Sequence, residues 1–426
     1  MFLRILVIIS FILGNCFLQV KAEDENLSQP IPGQFIVKFK DQKGNASDKA
    51  TKLEEKHGSK INHVINNVFK GAVINIPPGK EKDLADDSDV EQIVQDFSIY
   101  AIKSGNRKPS SSSSTSSGST QTLPTGINWI DAELNTTNKG NGVTVAVLDT
   151  GIDFGHPDLT VNTLLSRDFS GDGTGGNDNN TANGTGGHGT HVAGVVAALD
   201  NNIGVVGVAP GANLISVKVL SRTGSGSFGG IISGLDYVIA NASIIGITNS
   251  SLGANGGTNP SQSFINAANL LHDAYIRAAN AGIINVVAAG NESVNITSNN
   301  SVPAMFPEVI TTSAVDDRNG IQDSLDKWAS FSNFGTEVDI IAPGVNILST
   351  AIGGGTSSLS GTSFSSPHVA GTVALYIAKN GRPSNGDARL LSLLISTISK
   401  TRSSLLGEPA DSYVEPSCYA NGAGLK

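Results

Sequence analysis

Between residues 34 and 40 the side chains alternate, Phe35, Val37 and Phe39 against Ile36, Lys38 and Lys40, which is the period of a strand. The pattern then predicts a polar helix over about 46–57, strands over 62–69 and 72–76 around a Lys70-Gly71 turn, a second helix from about Glu81 and a last strand through 93–102. This order, βαββαβ, predicts a small α+β domain. Residues 110–120 are almost entirely Ser, Thr and Gly, a composition with nothing to bury, and read as a flexible linker. Beyond Gln121 the texture changes. Apolar runs without alternation at 143–148, 214–220, 244–247 and 283–288 are interleaved with helical stretches near 188–199, 229–241, 264–281 and 363–379. Strands that do not alternate are buried on both faces. The fold class predicted for this part is α/β, with a mainly parallel central sheet, helices on both faces and sites at the carboxyl ends of strands.

Length and composition agree with this division. At roughly 100 to 200 residues per domain, 426 residues allow two or three domains. With 39% hydrophobic and 15% charged residues, a chain disordered throughout is excluded. Residues 1–119 carry 15 basic and 14 acidic side chains and the remainder 13 and 23, which together give the net charge of −9. An acidic C-terminal part gives no electrostatic reason to hold nucleic acid or an anionic membrane, and it suits cations instead.

The first residues read as an address. Arg4 precedes an apolar run from Ile5 to Leu18, and Val20-Lys21-Ala22 follows with small residues at the positions a signal peptidase reads. About 14 residues fall short of the roughly 20 needed to span a bilayer. The expected division is therefore a signal peptide over 1–22, a small domain over 23–103, a Ser-rich linker over 104–119 and a large domain over 120–426. Secretion to the extracellular space is expected, with a vacuole or lysosome as the alternative, and no membrane association after the signal is removed. Cys16 leaves with the signal, so Cys418 stands alone and no internal disulfide forms. Sequons at Asn135, Asn183 and Asn295 fit a secreted glycoprotein.

Three segments place a reactive side chain at a strand end or a helix start. Val145-Ala146-Val147-Leu148-Asp149-Thr150-Gly151 delivers Asp149 to a glycine turn. Gly187-His188-Gly189-Thr190-His191-Val192-Ala193-Gly194 brings a histidine into a helix of small residues. Ser360-Gly361-Thr362-Ser363 places Ser363 at the N-terminus of a long helix, where backbone N–H groups and the dipole favour negative charge. Each alone has an ordinary reading as a helix cap, a core histidine or a metal ligand, and the spacing is not H-E-x-x-H. Together they supply a nucleophile, an imidazole to take its proton and a carboxylate to hold that imidazole. The esterase elbow G-x-S-x-G is excluded because Ser365 stands where its second glycine would be.

On these residues the chain resembles the subtilisin-like serine proteases, the proteinase K and cerevisin group in particular. Asp149 to Ile152 meets D-S/T-G-I/V, His188 to Gly194 meets H-G-T-H-V-A-G, and Gly361 to Gly371 meets G-T-S-x-A/S-S/T-P-H-V-A-G; the order Asp, His, Ser is also that family's. The likeness runs over about 121–425, and the unit at 33–102 is similar to the family's inhibitory propeptide. It implies a secreted, monomeric serine endopeptidase made as a zymogen, acting on proteins and peptides with broad specificity. Asp149, His188 and Ser363 would form the triad, with His191 a packing residue. Ala288-Ala289-Gly290-Asn291 resembles the oxyanion segment, with the Asn291 amide and the Ser363 N–H as donors. Gly224, Ser225 and Gly226, with Ser251, Leu252 and Gly253, resemble two segments between which a peptide lies as an added strand. Ala288 and Gly290 would border the first pocket, which has no acidic residue and so favours an uncharged apolar or aromatic side chain. The propeptide tail near 100–103 is expected to lie through the active site and to be cut between 102 and 120.

No cofactor is expected for catalysis, but structural calcium is. Asp158 and the loop 199–205 resemble the family's calcium loop, with ligands falling on Gln121, Asp158, Leu199, Asn201, Ile203 and Val205. Departures are Phe364, where the family usually has methionine, and the close at Gly424-Leu425-Lys426, where relatives generally continue. The rival reading is a catalytically silent peptide-binding homologue, which would lack a triad or oxyanion residue.

Overall fold

The computed structural model describes residues 27–102, 120–178, 187–383, 399–401 and 418–420. The signal segment, residues 104–119 of the linker and the Asn183 sequon lie outside the described residues. The N-terminal unit runs β1 (Pro30–Phe39), α1 (Ala46–His57), β2 (Lys60–Ile65), β3 (Gly71–Asn75), α2 (Glu81–Ala85) and β4 (Val90–Ala101), the expected βαββαβ order. Helix α1 begins where Asn45 accepts a hydrogen bond from Ser47 N at 3.0 Å and ends at Gly58, whose φ of 63° suits glycine. Val37, Phe39, Ala50, Leu53, Ile74 and Leu84 form a core on one face of its sheet. Strand β2 stops at Ile65, short of the expected residue 69. The next amides turn instead to the Asp236 carboxylate, Asn66 N at 3.0 Å and Val68 N at 2.9 Å.

The larger unit opens with α3 (Thr125–Trp129), β5 (Thr144–Asp149), β6 (Arg167–Asp168), α4 (His188–Ala197), β7 (Asn213–Lys218), β8 (Ser225–Ser227) and α5 (Phe228–Ala240). It continues with β9 (Ile247–Ser250), β10 (Leu252–Asn255), α6 (Gln262–Asn280), β11 (Ile284–Ala288), β12 (Ser301–Val302) and β13 (Val309–Asp316). There follow β14 (Lys327–Trp328), β15 (Ile340–Pro343), β16 (Ile347–Ala351), β17 (Gly355–Leu359), α7 (Thr362–Asn380), β18 (Ser399–Thr401) and β19 (Cys418–Ala420). The main sheet has the order β18-β19-β15-β13-β11-β9-β5-β7-β6, parallel from β19 to β6. Val145 and Val147 of β5 join the core under α4 and α7, while Ala146 and Leu148 join the core under α5 and α6. A strand packed by helices on both faces has no solvent side, which is why its sequence does not alternate.

One strand is displaced from its expected place. The apolar run 244–247 predicts a strand there, but β9 begins at Ile247 and continues through Thr248, Asn249 and Ser250, all fully buried. Most of their polar groups are bonded within the core: Thr248 Oγ1 donates to Asn285 Oδ1 at 2.7 Å, Asn249 Nδ2 to Ser251 Oγ at 2.9 Å, and Tyr275 OH to Ser250 Oγ at 3.2 Å, while Asn249 Oδ1 is buried without a hydrogen bond. A buried hydroxyl that is bonded carries little penalty, so hydropathy misplaces the strand.

The two units share a second sheet of order β12-β10-β4-β1-β3-β2, with β8 also paired to β4. No described helix is long and apolar enough to cross a membrane. Asn135 is buried in the folded chain, at 1% exposure, so its sequon is closed to a glycan once folding is complete.

Candidate active site

Strand β5 ends at Asp149, which is fully buried and accepts from Thr150 N at 2.7 Å. Helix α4 begins beside it because Gly189 lies where a Cβ would stand 2.2 Å from the Gly151 carbonyl oxygen and 3.1 Å from Asp149 Cβ. Any larger residue would push the helix away. The approach sets His188 Nδ1 2.8 Å and 3.0 Å from the two Asp149 oxygens. A carboxylate accepts only, so Nδ1 carries the proton and Nε2 is left as the acceptor. Nε2 is buried and makes no hydrogen bond. His191, one turn along, is held down at about 3 by burial; it meets the Ser357 carbonyl at 3.0 Å and the Phe364 ring at 4.5 Å, the contacts of a packing residue. Phe364 also touches the His188 ring, with centroids 5.3 Å apart, so it fills the space between the two histidines.

Ser363 lies in the first turn of α7, fully buried. Its backbone carbonyl accepts from Ser251 Oγ at 2.7 Å, and that hydroxyl is shared with Ser366 Oγ at 3.0 Å and accepts from Asn249 Nδ2 at 2.9 Å. Asn291 Oδ1 accepts from Thr362 N at 2.9 Å and Thr362 Oγ1 at 3.0 Å, and Gly290 N donates to Thr362 Oγ1 at 3.0 Å. Thr362 therefore fixes which end of the Asn291 amide faces it, leaving Nδ2 on the other side. Sequence reasoning missed Thr362, Ser366 and Asn249 as supports. Thr362 and Ser366 both lie inside the motif at Gly361 to Gly371, so a signal was present for them; Asn249 carries none. Ala288 closes β11, and Gly290, at φ 110°, turns the chain into Asn291.

The Ser363 hydroxyl makes no hydrogen bond to His188. It donates to the Ile102 carbonyl at 3.0 Å, with the Ser251 carbonyl at 3.4 Å. Ile102 is there because β4 lies between β8 and β10, antiparallel to both, pairing Ile99 with Gly226, Tyr100 with Ser225 and Gly253, and Ala101 with Leu252. Ala101 N donates to Gly224 O at 2.7 Å and Ile102 N to Ser251 O at 3.4 Å. All six residues expected to pair with a peptide thus line one strand of this same chain. Ile102 is buried and its side chain lies over Gly253, where an added Cβ would meet Cδ1 at 3.5 Å.

The expected calcium residues also converge. Thr122 bridges to Val205, which brings Gln121 Nε2 2.6 Å from the Leu199 carbonyl and 3.2 Å from that of Val205. Asp158 Oδ1 accepts from Asn201 Nδ2 at 2.8 Å and Oδ2 from Val205 N at 2.9 Å. Gly204, at φ 59°, has its missing Cβ position 2.3 Å from Asp158 Oδ2, so the loop closes on the carboxylate only with glycine there. Turning the Gln121 amide end for end adds its oxygen to the Asp158 carboxylate and the Leu199 and Val205 carbonyls, a donor set that fits a hard cation. Ile203 stands on the exposed rim and its N–H meets Asn201 Oδ1 at 2.7 Å.

Residues 140–412 match the subtilase family. The chain is 40% identical over 272 residues to subtilisin NAT of Bacillus subtilis subsp. natto, covering 63% of this chain and 65% of that protein. It is 43% identical over 274 residues to the thermostable alkaline protease of Halalkalibacterium halodurans, covering 63% and 66%. The chain therefore spans just under two thirds of each relative's length. Its fold is similar to that of a cold adapted subtilisin-like serine proteinase, with a TM-score of 0.52 and 31% identity over 68% of this chain and 91% of that one.

Proposed function

The chain belongs to the subtilase family, and from that premise we propose that it is a secreted serine endopeptidase made as a zymogen, its N-terminal unit occupying the active site and free to leave only once the chain has been cut after Ile102. The observation that carries this is Ser363 Oγ at 3.0 Å from the Ile102 carbonyl, on a strand paired on both sides by the larger unit. In the reaction His188 Nε2 takes the Ser363 proton as Oγ bonds to the substrate carbonyl carbon, and the oxygen that becomes negative is met by the Asn291 amide and the Ser363 N–H. The imidazolium, held by Asp149, then gives its proton to the leaving amine. The acyl-enzyme is released by water activated at the same nitrogen.

Substrate affinity comes largely from backbone pairing with β8 and β10, which supports broad specificity among unfolded chains. The seat over Gly253, filled here by Ile102, supports an apolar side chain before the cut. Arg4, the apolar run and Val20-Lys21-Ala22 support the extracellular space as destination. Gln121, Asp158, Leu199, Asn201, Ile203 and Val205 would hold calcium, whose role is to tie the loop and the start of the large unit into the folded state. The cation takes no part in the chemistry.

The test is to express the parent chain and Ser363→Ala in a host without other proteases and sequence the N-termini. The parent should yield a mature chain beginning at Lys103 and Ser363→Ala a chain that keeps the N-terminal unit. Trimming of Ser363→Ala at the same bond, or a parent start elsewhere, rejects self-cleavage after Ile102.

A further inference from the structure

Lys218 has no exposed surface at all. A lysine in a strand core is costly unless its charge is met, so its partners show what the fold retains it for. It is the β7 residue in register with Asp149 on β5. Its Nζ donates to the Thr150 carbonyl and lies 3.1 Å from Asp172 Oδ2. Thr150 is tied at two further points, its N–H to Asp149 Oδ1 at 2.7 Å and its Oγ1 from Gly189 N at 3.1 Å. One residue, Thr150, thus joins the carboxylate that holds His188, the first turn of the His188 helix and the lysine.

We infer that Lys218 is a positioning residue which, with Asp172 as its counter-charge, holds the end of β5 and sets the pH below which His188 no longer acts as a base. This rests on the peptidase reading above. Other charges face the same region. Asp168 on β6 is also in register with Lys218, but its carboxylate is taken by Ser170 N at 2.8 Å and Thr174 N at 3.1 Å. Asp178 accepts from Gly187 N at 3.0 Å, and burial raises its carboxyl above the usual range. Burial also acts on Asp172, but Thr174 and Lys218 outweigh it and hold that carboxyl below the usual range. Arg222 N donates to Asp172 Oδ2 at 3.3 Å. On α4, His191 stays neutral.

The two charges of the pair act on the His188 imidazolium with opposite sign. Removing the lysine charge favours the imidazolium, and removing the Asp172 charge disfavours it. At an effective dielectric near 20 a unit charge within a few side-chain lengths moves such an equilibrium by about half to one pH unit.

The test uses matured enzyme carrying Lys218→Met, Asp172→Asn or both. It has two readouts: the acid limb of kcat/KM against pH, and the pH midpoint of the His188 Cε1–H chemical shift, which needs no turnover. The limb should move to higher pH in Lys218→Met, to lower pH in Asp172→Asn, and return close to the parent in the double variant. A limb and chemical-shift midpoint unmoved in both single variants, with kcat merely lowered, would make the pair structural only and overturn the inference. If Lys218→Met does not fold, Asp172→Asn decides alone, and an unmoved or upward limb overturns it. A parent without peptidase activity instead counts against the peptidase reading, and the chemical-shift midpoints then still decide for or against the pair.

Discussion

Asp149 reaches the His188 ring with both carboxylate oxygens, 2.8 Å and 3.0 Å from Nδ1. The pair fixes a tautomer as well as a position. An amide in place of the carboxylate can present an N–H to Nδ1 and so favour the tautomer whose Nε2 is protonated and unable to accept from Ser363. Asp149→Asn should keep its fold by near-ultraviolet circular dichroism and lose about 10⁴ in kcat on a peptide substrate. A loss below tenfold would remove Asp149 from the triad.

The Asn291 side chain is oriented by two bonds from Thr362 to its Oδ1, which Asn291→Ala deletes without opening a core. That variant should fold and lose about 10² to 10³ in kcat with KM nearly unchanged, since the donor serves a charge present only in the transition state. A rise in KM at constant kcat would assign Asn291 to substrate binding instead.

If calcium holds the Asp158 loop, a chelator should lower the Tm of matured Ser363→Ala, prepared by cutting its linker in vitro, because an ion bound only to the folded state stabilises it by mass action. Asp158→Ala should melt lower than the parent in calcium and be indifferent to the chelator. Identical melting of the parent with and without chelator, in protein shown by elemental analysis to be metal-free in the chelated sample, would exclude the site.

Asp317 has its carboxyl pushed up to about 6, by burial first, with Asp316 and Asp326 adding repulsion against a hydrogen bond from Thr125. Its folded value is thus above its unfolded one. The stability it contributes is present below about pH 4 and lost as pH rises through about 6. Asp317→Asn in the Ser363→Ala background should therefore raise the unfolding free energy near neutrality, by an amount on the order of 2 kcal/mol relative to its effect at pH 4. Denaturant melts at the two pH values measure this, and an equal effect at both would refute it.

The parts legible in the sequence were those where one local rule acts alone. β5 shows as an unbroken apolar run because helices cover both its faces, and α1 shows both caps, Asn45 and Gly58. The proposed triad was legible because its residue types sit in short motifs. β9 was misplaced because burial there is carried by bonded polar groups at Thr248, Asn249 and Ser250, which no periodicity records. The joining of β4 to β8 and β10 was inferred from resemblance; strand pairing between segments more than a hundred residues apart leaves no trace in local pattern. Lys218 shows least of all, since a single lysine inside the apolar run 214–220 carries no local sign of the carboxylate that meets it.

Strand β4 contributes its backbone to a sheet completed by β8 and β10, and cutting the bond after Ile102 breaks none of those hydrogen bonds. On the proposed reading the first product of the enzyme stays in place as its own competitor. Cleavage and onset of activity are then separate events in time, and onset waits until some molecule loses its bound fragment and digests those of its neighbours. Activity in a fresh preparation should rise along a sigmoid whose lag shortens as protein concentration increases and disappears on seeding with mature enzyme, the kinetics of a chain reaction and not of a first-order switch.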